Sequence, residues 1–268
     1  MKIQKLIYLS MFIGLLSCEQ NEVNPIDEPN DEPVNQLNIS NDHLSLDGST
    51  LYLFAKDFAG ESLCEDGCAE KWPPVFADQV SEFELNDGLE AENFGIVTRP
   101  DGSNQLTYYD FPLYKFVDDF QGTDIKPGTE LGEGIGGVFF VAKPYTVFLA
   151  QGELEGEFAR KFLIDFKTGK TLYFFNIDNP LNSNCENGGC FAAWPPYYKE
   201  NITAPSILKT SDFESFKRDG DDKLLQSALL EHPLYYFAQD GKRGDTKGHN
   251  FNGGTWIVAD VVDVPPFQ

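Results

Sequence analysis

The chain has little with which to do metal or acid–base chemistry. It has two methionines, Met1 and Met11, and three histidines in 268 residues. Both methionines fall in the first turn of sequence, so beyond residue 11 there is no thioether for a cytochrome or for the usual axial position of blue copper,. Cations are scarce as well. Lys and Arg total 20 against 43 Asp and Glu, a formal charge of −23. That balance argues against nucleic acid and against docking on anionic lipid, both of which select basic patches. There is no GxxxxGK[ST] phosphate loop, no GxGxxG between a strand and a helix, no G-x-S-x-G elbow and no H-E-x-x-H pair,. Acidic pairs such as Asp118/Asp119 and Asp221/Asp222 are what so acidic a composition supplies by chance, and they do not identify a glycosidase,. None of His43, His232 and His249 sits at equivalent places in the two halves described below. An enzyme is not expected.

A long hydrophobic run is also missing. The stretch Leu6–Leu16, behind Lys2 and Lys5, has the length of a signal-peptide core and falls short of the ~20 residues that span a bilayer,. It leads into Leu15-Leu16-Ser17-Cys18, which resembles the lipobox of bacterial lipoproteins. The resemblance implies removal of residues 1–17, a lipid (palmitate among its acyl chains) on Cys18, and attachment to a membrane through that lipid, at the outer membrane of the cell envelope. Loss of Lys2 and Lys5 would take the charge from −23 to −25. Residues 18–44 are rich in Asp, Glu, Asn and Pro, with few large apolar side chains. Such composition cannot offset its ordering entropy by burial, and a disordered tether is expected,.

The whole chain holds 23 Phe and 11 Tyr, and the residues beyond the tether repeat,. Gly48-Ser-Thr-Leu-Tyr52-Leu-Phe54-Ala-Lys-Asp57 recurs 121 positions later as Gly169-Lys-Thr-Leu-Tyr173-Phe-Phe175-Asn-Ile-Asp178. Cys64 and Cys68 before Trp72-Pro-Pro match Cys185 and Cys190 before Trp194-Pro-Pro, with one residue more between the second pair. Pro112-Leu-Tyr114-Lys-Phe116-Val-Asp-Asp119 matches Pro233-Leu-Tyr235-Tyr-Phe237-Ala-Gln-Asp240. Gly136-Gly137 with the following Val-Ala closes the first copy as Gly253-Gly254 closes the second, after a loop four residues shorter. Four blocks in one order define a repeat at residues 45–143 and another at 160–268, joined by a connector at 144–159.

The pattern Tyr-x-Phe-x-x-Asp thus occurs twice in each copy. The chain resembles a family of secreted-repeat lipoproteins marked by Tyr-x-aromatic-x-x-Asp, a close cysteine pair before Trp-Pro-Pro, and a closing Gly-Gly/Val-Ala strand. The resemblance spans about residues 45–143 and 160–260. It implies architecture and a place outside the cytoplasm, and carries no assigned activity.

The fold expected is mainly β: two tandem β-rich repeats of about 100 residues with short helical segments, after the tether. Leu51–Phe54 and Leu172–Phe175 are apolar runs bounded by Gly and Asp, and read as strands buried on both faces. Leu106–Tyr109 and Leu113–Phe116 read as a hairpin. Residues 210–230 suggest a helix, with Ser211 as N-cap and Glu214 three residues on. The four motif aspartates fall at strand ends, where a carboxylate can cap a turn by accepting backbone N–H groups. The alternative is that they converge on Ca²⁺.

Close cysteine pairs in an exported chain read as two local disulfides that fix the loops before Trp-Pro-Pro. The rivals are a zinc site pooling both pairs, or a copper-handling pair assisted by His249. Covalent haem is excluded, since Ala69 and Phe191 stand where a histidine is required. No cofactor follows from the residues. The function expected is a non-enzymatic interaction module binding an envelope protein or a small ligand, with redox or metal handling through the cysteine pairs as the alternative.

Overall fold

The computed structural model describes residues 35–267 except 41, 87, 122–123, 126–127 and 219–220. The signal segment, Cys18 and residues 18–34 of the expected tether lie outside the described residues. The secondary structure is mainly short strands, with helical turns of three to six residues.

Each copy begins with a hairpin that carries none of the repeated motifs. In the first copy Asn35–Ser40 pairs antiparallel with His43–Leu46, Leu37 opposite Leu46. Leu37 and Leu44 are fully buried, and the edge of Asn35–Ser40 pairs in parallel with Phe83–Leu85. Folded structure therefore starts within the segment expected to be disordered up to residue 44. Three buried leucines, Leu37, Leu44 and Leu46, are enough to hold a hairpin that a large core can cover,. In the second copy the equivalent hairpin is Val147–Leu154 with Glu157–Asp165. It occupies most of the expected connector, and Phe148, Leu149 and Ala150 have no exposed surface.

Matching backbone bonds establish the equivalence. Leu44 N–H donates to Ala142 O and Leu51 N–H to Leu44 O in one copy; Leu163 N–H donates to Ala259 O and Leu172 N–H to Leu163 O in the other. The structural unit is thus longer at its front than the sequence blocks. It runs from residue 35 in the first copy and from residue 147 in the second.

The first motif strand of each copy is buried on both faces, as expected. Tyr52–Phe54 pairs antiparallel with the closing strand Phe139–Val141, and Tyr173–Phe175 with Trp256–Val258. Between them lies a second hairpin. In the first copy it is Phe94–Thr98 with Asn104–Tyr108, which turns through Tyr109-Asp110 into Phe111–Pro112. Tyr109 and Asp110 both have positive φ, at 48° and 62°, the backbone of a two-residue hairpin turn,. A hairpin is present where one was expected, but the turn falls at Tyr109-Asp110, and the second strand is Phe111–Pro112 where Leu113–Phe116 was expected.

In the second copy the same element is Phe213–Arg218 with Asp221–Leu229, turning through Leu230 and Glu231 (φ 47° and 66°) into His232–Pro233. This replaces the helix expected over 210–230. Among the described residues there only Thr210–Asp212 is helical, and Ser211 lies inside that turn, whose N-cap position is Lys209. Phe213 opposite Leu229 seals the hairpin against the core, and that burial outweighs the helix propensity of the leucine-rich run,.

The copies share one hydrophobic interior. The ring of Phe58 from the first copy meets Phe162 from the second at 5.5 Å, and Phe111 stacks on Phe166 at 5.3 Å. Each fully buried Phe contributes about 1.5–3 kcal/mol, so the inter-repeat cluster of Phe111, Phe148 and Phe166 resists separation of the copies. The described residues form one compact unit. No described helix is long and apolar enough to cross a membrane.

Candidate functional site: crossed tyrosine–aspartate pairs

Inside each copy the two Tyr-x-Phe-x-x-Asp segments cross at their tyrosines. Tyr52 N–H donates to Tyr114 O at 2.8 Å, and Tyr114 N–H returns a bond to Tyr52 O at 3.0 Å. In the second copy Tyr173 and Tyr235 do the same at 2.9 and 3.1 Å. The side chains then exchange partners across the crossing. Tyr52 donates its phenol proton to Asp119 at 2.7 Å, and Tyr114 donates to Asp57 at 2.6 Å. Tyr173 donates to Asp240 at 2.6 Å, and Tyr235 to Asp178 at 2.7 Å. No tyrosine bonds the aspartate of its own segment. The motif is therefore one half of a reciprocal clasp, and two halves close it.

The second oxygen of each carboxylate caps a loop. Leu63 N–H donates to Asp57 at 2.9 Å, Asn184 N–H to Asp178 at 2.7 Å, Leu131 N–H to Asp119 at 3.0 Å, and Lys247 N–H to Asp240 at 3.1 Å. The turn-capping role expected of these residues is present, with a phenol added. Each aspartate is engaged by a phenol and a loop amide of its own. Among the described residues no group of three or more His, Cys, Asp or Glu is placed to hold a metal.

Burial sets the protonation. Desolvation pushes the Asp57 and Asp178 carboxyls up to about 7, against the pull of the Tyr114 and Tyr235 hydroxyls and of the Leu63 and Asn184 amides,. Asp119 and Asp240 are raised for the same reason. Burial also drives the four phenols above their ordinary range, and the neighbouring carboxylates add to it. The phenol proton consequently stays on tyrosine.

Two arginines complete the cluster, and motif reading did not single them out. Arg99 is 5% exposed and donates to Gln105 Oε1 at 2.7 Å and to Cys64 O at 2.8 Å. Arg218, 6% exposed, donates to Gln226 Oε1 and to Cys185 O. Ser62 Oγ lies 2.9 Å from the Tyr114 hydroxyl and Ser183 Oγ 2.7 Å from that of Tyr235. The glutamines stand at the same 121-residue offset as the motifs and are the signal that could have revealed the cluster. Each guanidinium ties the middle hairpin to the disulfide loop and lies close enough to its aspartate to favour the charged carboxylate.

The cysteines form disulfides, Cys64–Cys68 and Cys185–Cys190, with Cα–Cα separations of 5.2 and 5.4 Å. All four sulfurs are taken up, and thiolate ligation of zinc or copper has no free thiol to use. His249 has a plain structural role. Its Nδ1 accepts from Val258 N–H at 3.2 Å, just as Glu133 accepts from Val141 N–H at 2.6 Å in the first copy. Burial holds the His249 imidazole below its usual pKa, in the neutral form that can accept,.

Each disulfide loop delivers a tryptophan to the aromatic side of the clasp. Trp72 is stacked between Phe116 and Phe139, with centroids at 4.3 and 3.8 Å. Trp194 is stacked between Phe237 and Trp256, at 4.2 and 3.8 Å. The remaining motif aromatics, Phe54 and Phe175, stack on Phe139 and Trp256 in turn. Gly132 and Gly248 lie over these rings, where an added Cβ would come within 2.7 Å of the indole and 2.8 Å of the tyrosine. Both positions require glycine for this close approach.

Four surface grooves among the described residues are bordered by no motif residue. One, of about 360 Å³, is lined by Lys143, Pro144, Ile202 and Thr203; another, of about 340 Å³, by Phe76, Asp78, Glu82 and Asn104.

A family model described as a secreted repeat of unknown function matches residues 44–76 and 218–260. The first match covers the opening motif strand, disulfide and Trp-Pro-Pro of copy one; the second covers the later motif strand, glycine loop and closing strand of copy two. No curated protein and no solved structure matches the chain.

Proposed function

We propose that this chain, which carries the secreted repeat in both halves and with it a place outside the cytoplasm, is a non-enzymatic lipoprotein of the cell envelope. A lipid on Cys18 anchors it at the outer membrane, and the folded repeats act as a displayed interaction module for an envelope protein or a small ligand. The observation that carries this reading is the closure of the motif upon itself. All four motif tyrosines and aspartates are hydrogen-bonded to one another and to loop amides. Residues so engaged build a rigid scaffold, so recognition falls to the surface around them, where loops on a rigid frame characteristically carry it.

Metal or redox handling through the cysteine pairs is the weaker reading, since the four sulfurs are paired as disulfides. The test begins with the anchor. Cells expressing the chain and its Cys18→Ser variant are fed an alkyne-labelled palmitate, fractionated, and treated with a membrane-impermeant amine cross-linker. The reading expects label on the wild type alone, recovery in the envelope fraction, and a discrete cross-linked adduct. Unlabelled, freely released wild type would overturn the anchor; lack of any adduct would overturn the interaction role.

A further inference from the structure

The clasp of the second copy contains an arrangement that the first copy lacks. Trp194 and Trp256 are stacked at 3.8 Å with planes 2° apart. Tyr173 meets the first indole edge-on at 5.4 Å, and Tyr235 meets the second at 5.1 Å. The result is a continuous series, Tyr173–Trp194–Trp256–Tyr235, of the side chains most readily oxidised by one electron. Each end is a phenol already hydrogen-bonded to a buried carboxylate, Asp240 at 2.6 Å and Asp178 at 2.7 Å. In the first copy the corresponding series is broken, because Phe139 occupies the place of Trp256 and a benzene ring is far harder to oxidise than an indole.

We propose that the second repeat is a radical relay: it accepts an oxidising equivalent on the stacked indole pair and stores it as a tyrosyl radical. The oxidant is a freely diffusing oxygen-derived radical, which gains one electron and becomes its anion. The electron comes from the Trp194–Trp256 pair, leaving an indole radical cation. That cation takes an electron from Tyr173 or Tyr235 while the phenol O–H bond breaks and the proton passes to Asp240 Oδ2 or Asp178 Oδ2. One electron has left the protein, one O–H bond has been exchanged for another, and a neutral tyrosyl radical remains. A small reductant from solution, a thiolate or ascorbate, restores the phenol by returning one electron as the carboxyl returns the proton.

Geometry supplies what the step needs. A proton moves only to an acceptor within hydrogen-bond reach, and here the acceptor is in place beside each buried phenol. The offset and edge-on ring arrangements keep the π systems in contact. The composition is consistent with the same role. With methionine missing after residue 11 and Cys64, Cys68, Cys185 and Cys190 in disulfides, the common sulfur targets of oxidants are missing or blocked beyond Cys18,. This role is independent of the interaction module proposed above and uses no thiol.

The test is flash-quench oxidation of the full chain with tris(bipyridine)ruthenium(II) and persulfate, followed by electron paramagnetic resonance of the trapped radical. The wild type should give a tyrosyl signal that is lost when Tyr173→Phe and Tyr235→Phe are combined. Trp256→Phe should lose most of it in a protein shown to be folded by circular dichroism, the first copy having Phe139 at that place. Phe139→Trp should add signal by completing the second series. A merely structural clasp predicts no change of yield in either variant. A signal that persists in Trp256→Phe, that resides on the exposed Tyr198, or that is not increased by Phe139→Trp in a folded protein overturns the proposal.

Discussion

Replacing Tyr114 by Phe removes one hydroxyl and leaves the ring in place. The hydroxyl donates to Asp57 at 2.6 Å and sits 2.9 Å from Ser62 Oγ, and both Tyr114 and Asp57 are fully buried. Asp57 would keep its bond from the Leu63 amide and lose its only side-chain donor. An unsatisfied buried acceptor costs about 1–3 kcal/mol, with charged groups at the upper end. We therefore expect Tyr114→Phe to destabilise the protein by about 2–3 kcal/mol in urea denaturation with the disulfides intact. Tyr235→Phe, at the equivalent place, should lose a similar amount, within about 0.5 kcal/mol. Tyr198→Phe serves as the control on an exposed side chain, where substitutions stay within about 0.5 kcal/mol,. A loss below about 0.5 kcal/mol in both clasp variants would refute the reasoning, because the phenol–carboxylate bond would then contribute no more than a surface contact.

Other outcomes follow from the same geometry. Asp57 and Asp178 hold their protons more tightly when folded, with pKa values near 7 against roughly 4 in the unfolded chain,. The stability they contribute is complete below about pH 4 and is lost as pH rises through about 7, so each should cost roughly 2 kcal/mol between pH 5 and pH 8. Chemical denaturation at several pH values should show that slope, and Asp57→Asn should reduce it; an unchanged slope would contradict the assignment. Gly132→Ala and Gly248→Ala each place a methyl within 2.7 Å of an indole. Each should cost about 1–3 kcal/mol and shift tryptophan emission, whereas Gly188→Ala, with open space around its Cα, should do neither,. Arg218→Lys should destabilise by about 1–3 kcal/mol, since an ammonium cannot span Gln226 and the Cys185 carbonyl together,; thermal denaturation matching the wild type would show that the fork is dispensable.

Reading the sequence located the duplication, because Tyr, Trp, Pro and Cys at fixed offsets are seldom matched by chance. It did not locate the opening hairpins. Asn35–Ser40 and Val147–Leu154 share no distinctive residue, and only Leu37 and Ile39 separate the former from a polar tether. The middle hairpin of the second copy carries the capping-box pattern of Ser211 and Glu214, which points to a helix,. Tertiary packing of Phe213 against Leu229 decided otherwise,. The clasp was legible in composition and hidden in connectivity. Tyr52 and Asp57 stand five residues apart and invite a local bond, yet the partners lie 67 and 57 residues away. The arginines escaped notice because Arg99 and Arg218 differ by 119 positions while the motifs differ by 121, a shift introduced by the hairpin loop between arginine and glutamine.

The most direct test of the crossed clasp is a double-mutant cycle. Tyr52→Phe and Asp119→Asn should couple by about 1–3 kcal/mol, as groups in direct contact do, while Tyr52→Phe and Asp57→Asn should couple distinctly less,. Coupling that is strong within a motif and weak across the crossing would show that each Tyr-x-Phe-x-x-Asp segment closes on itself, and the account would fall.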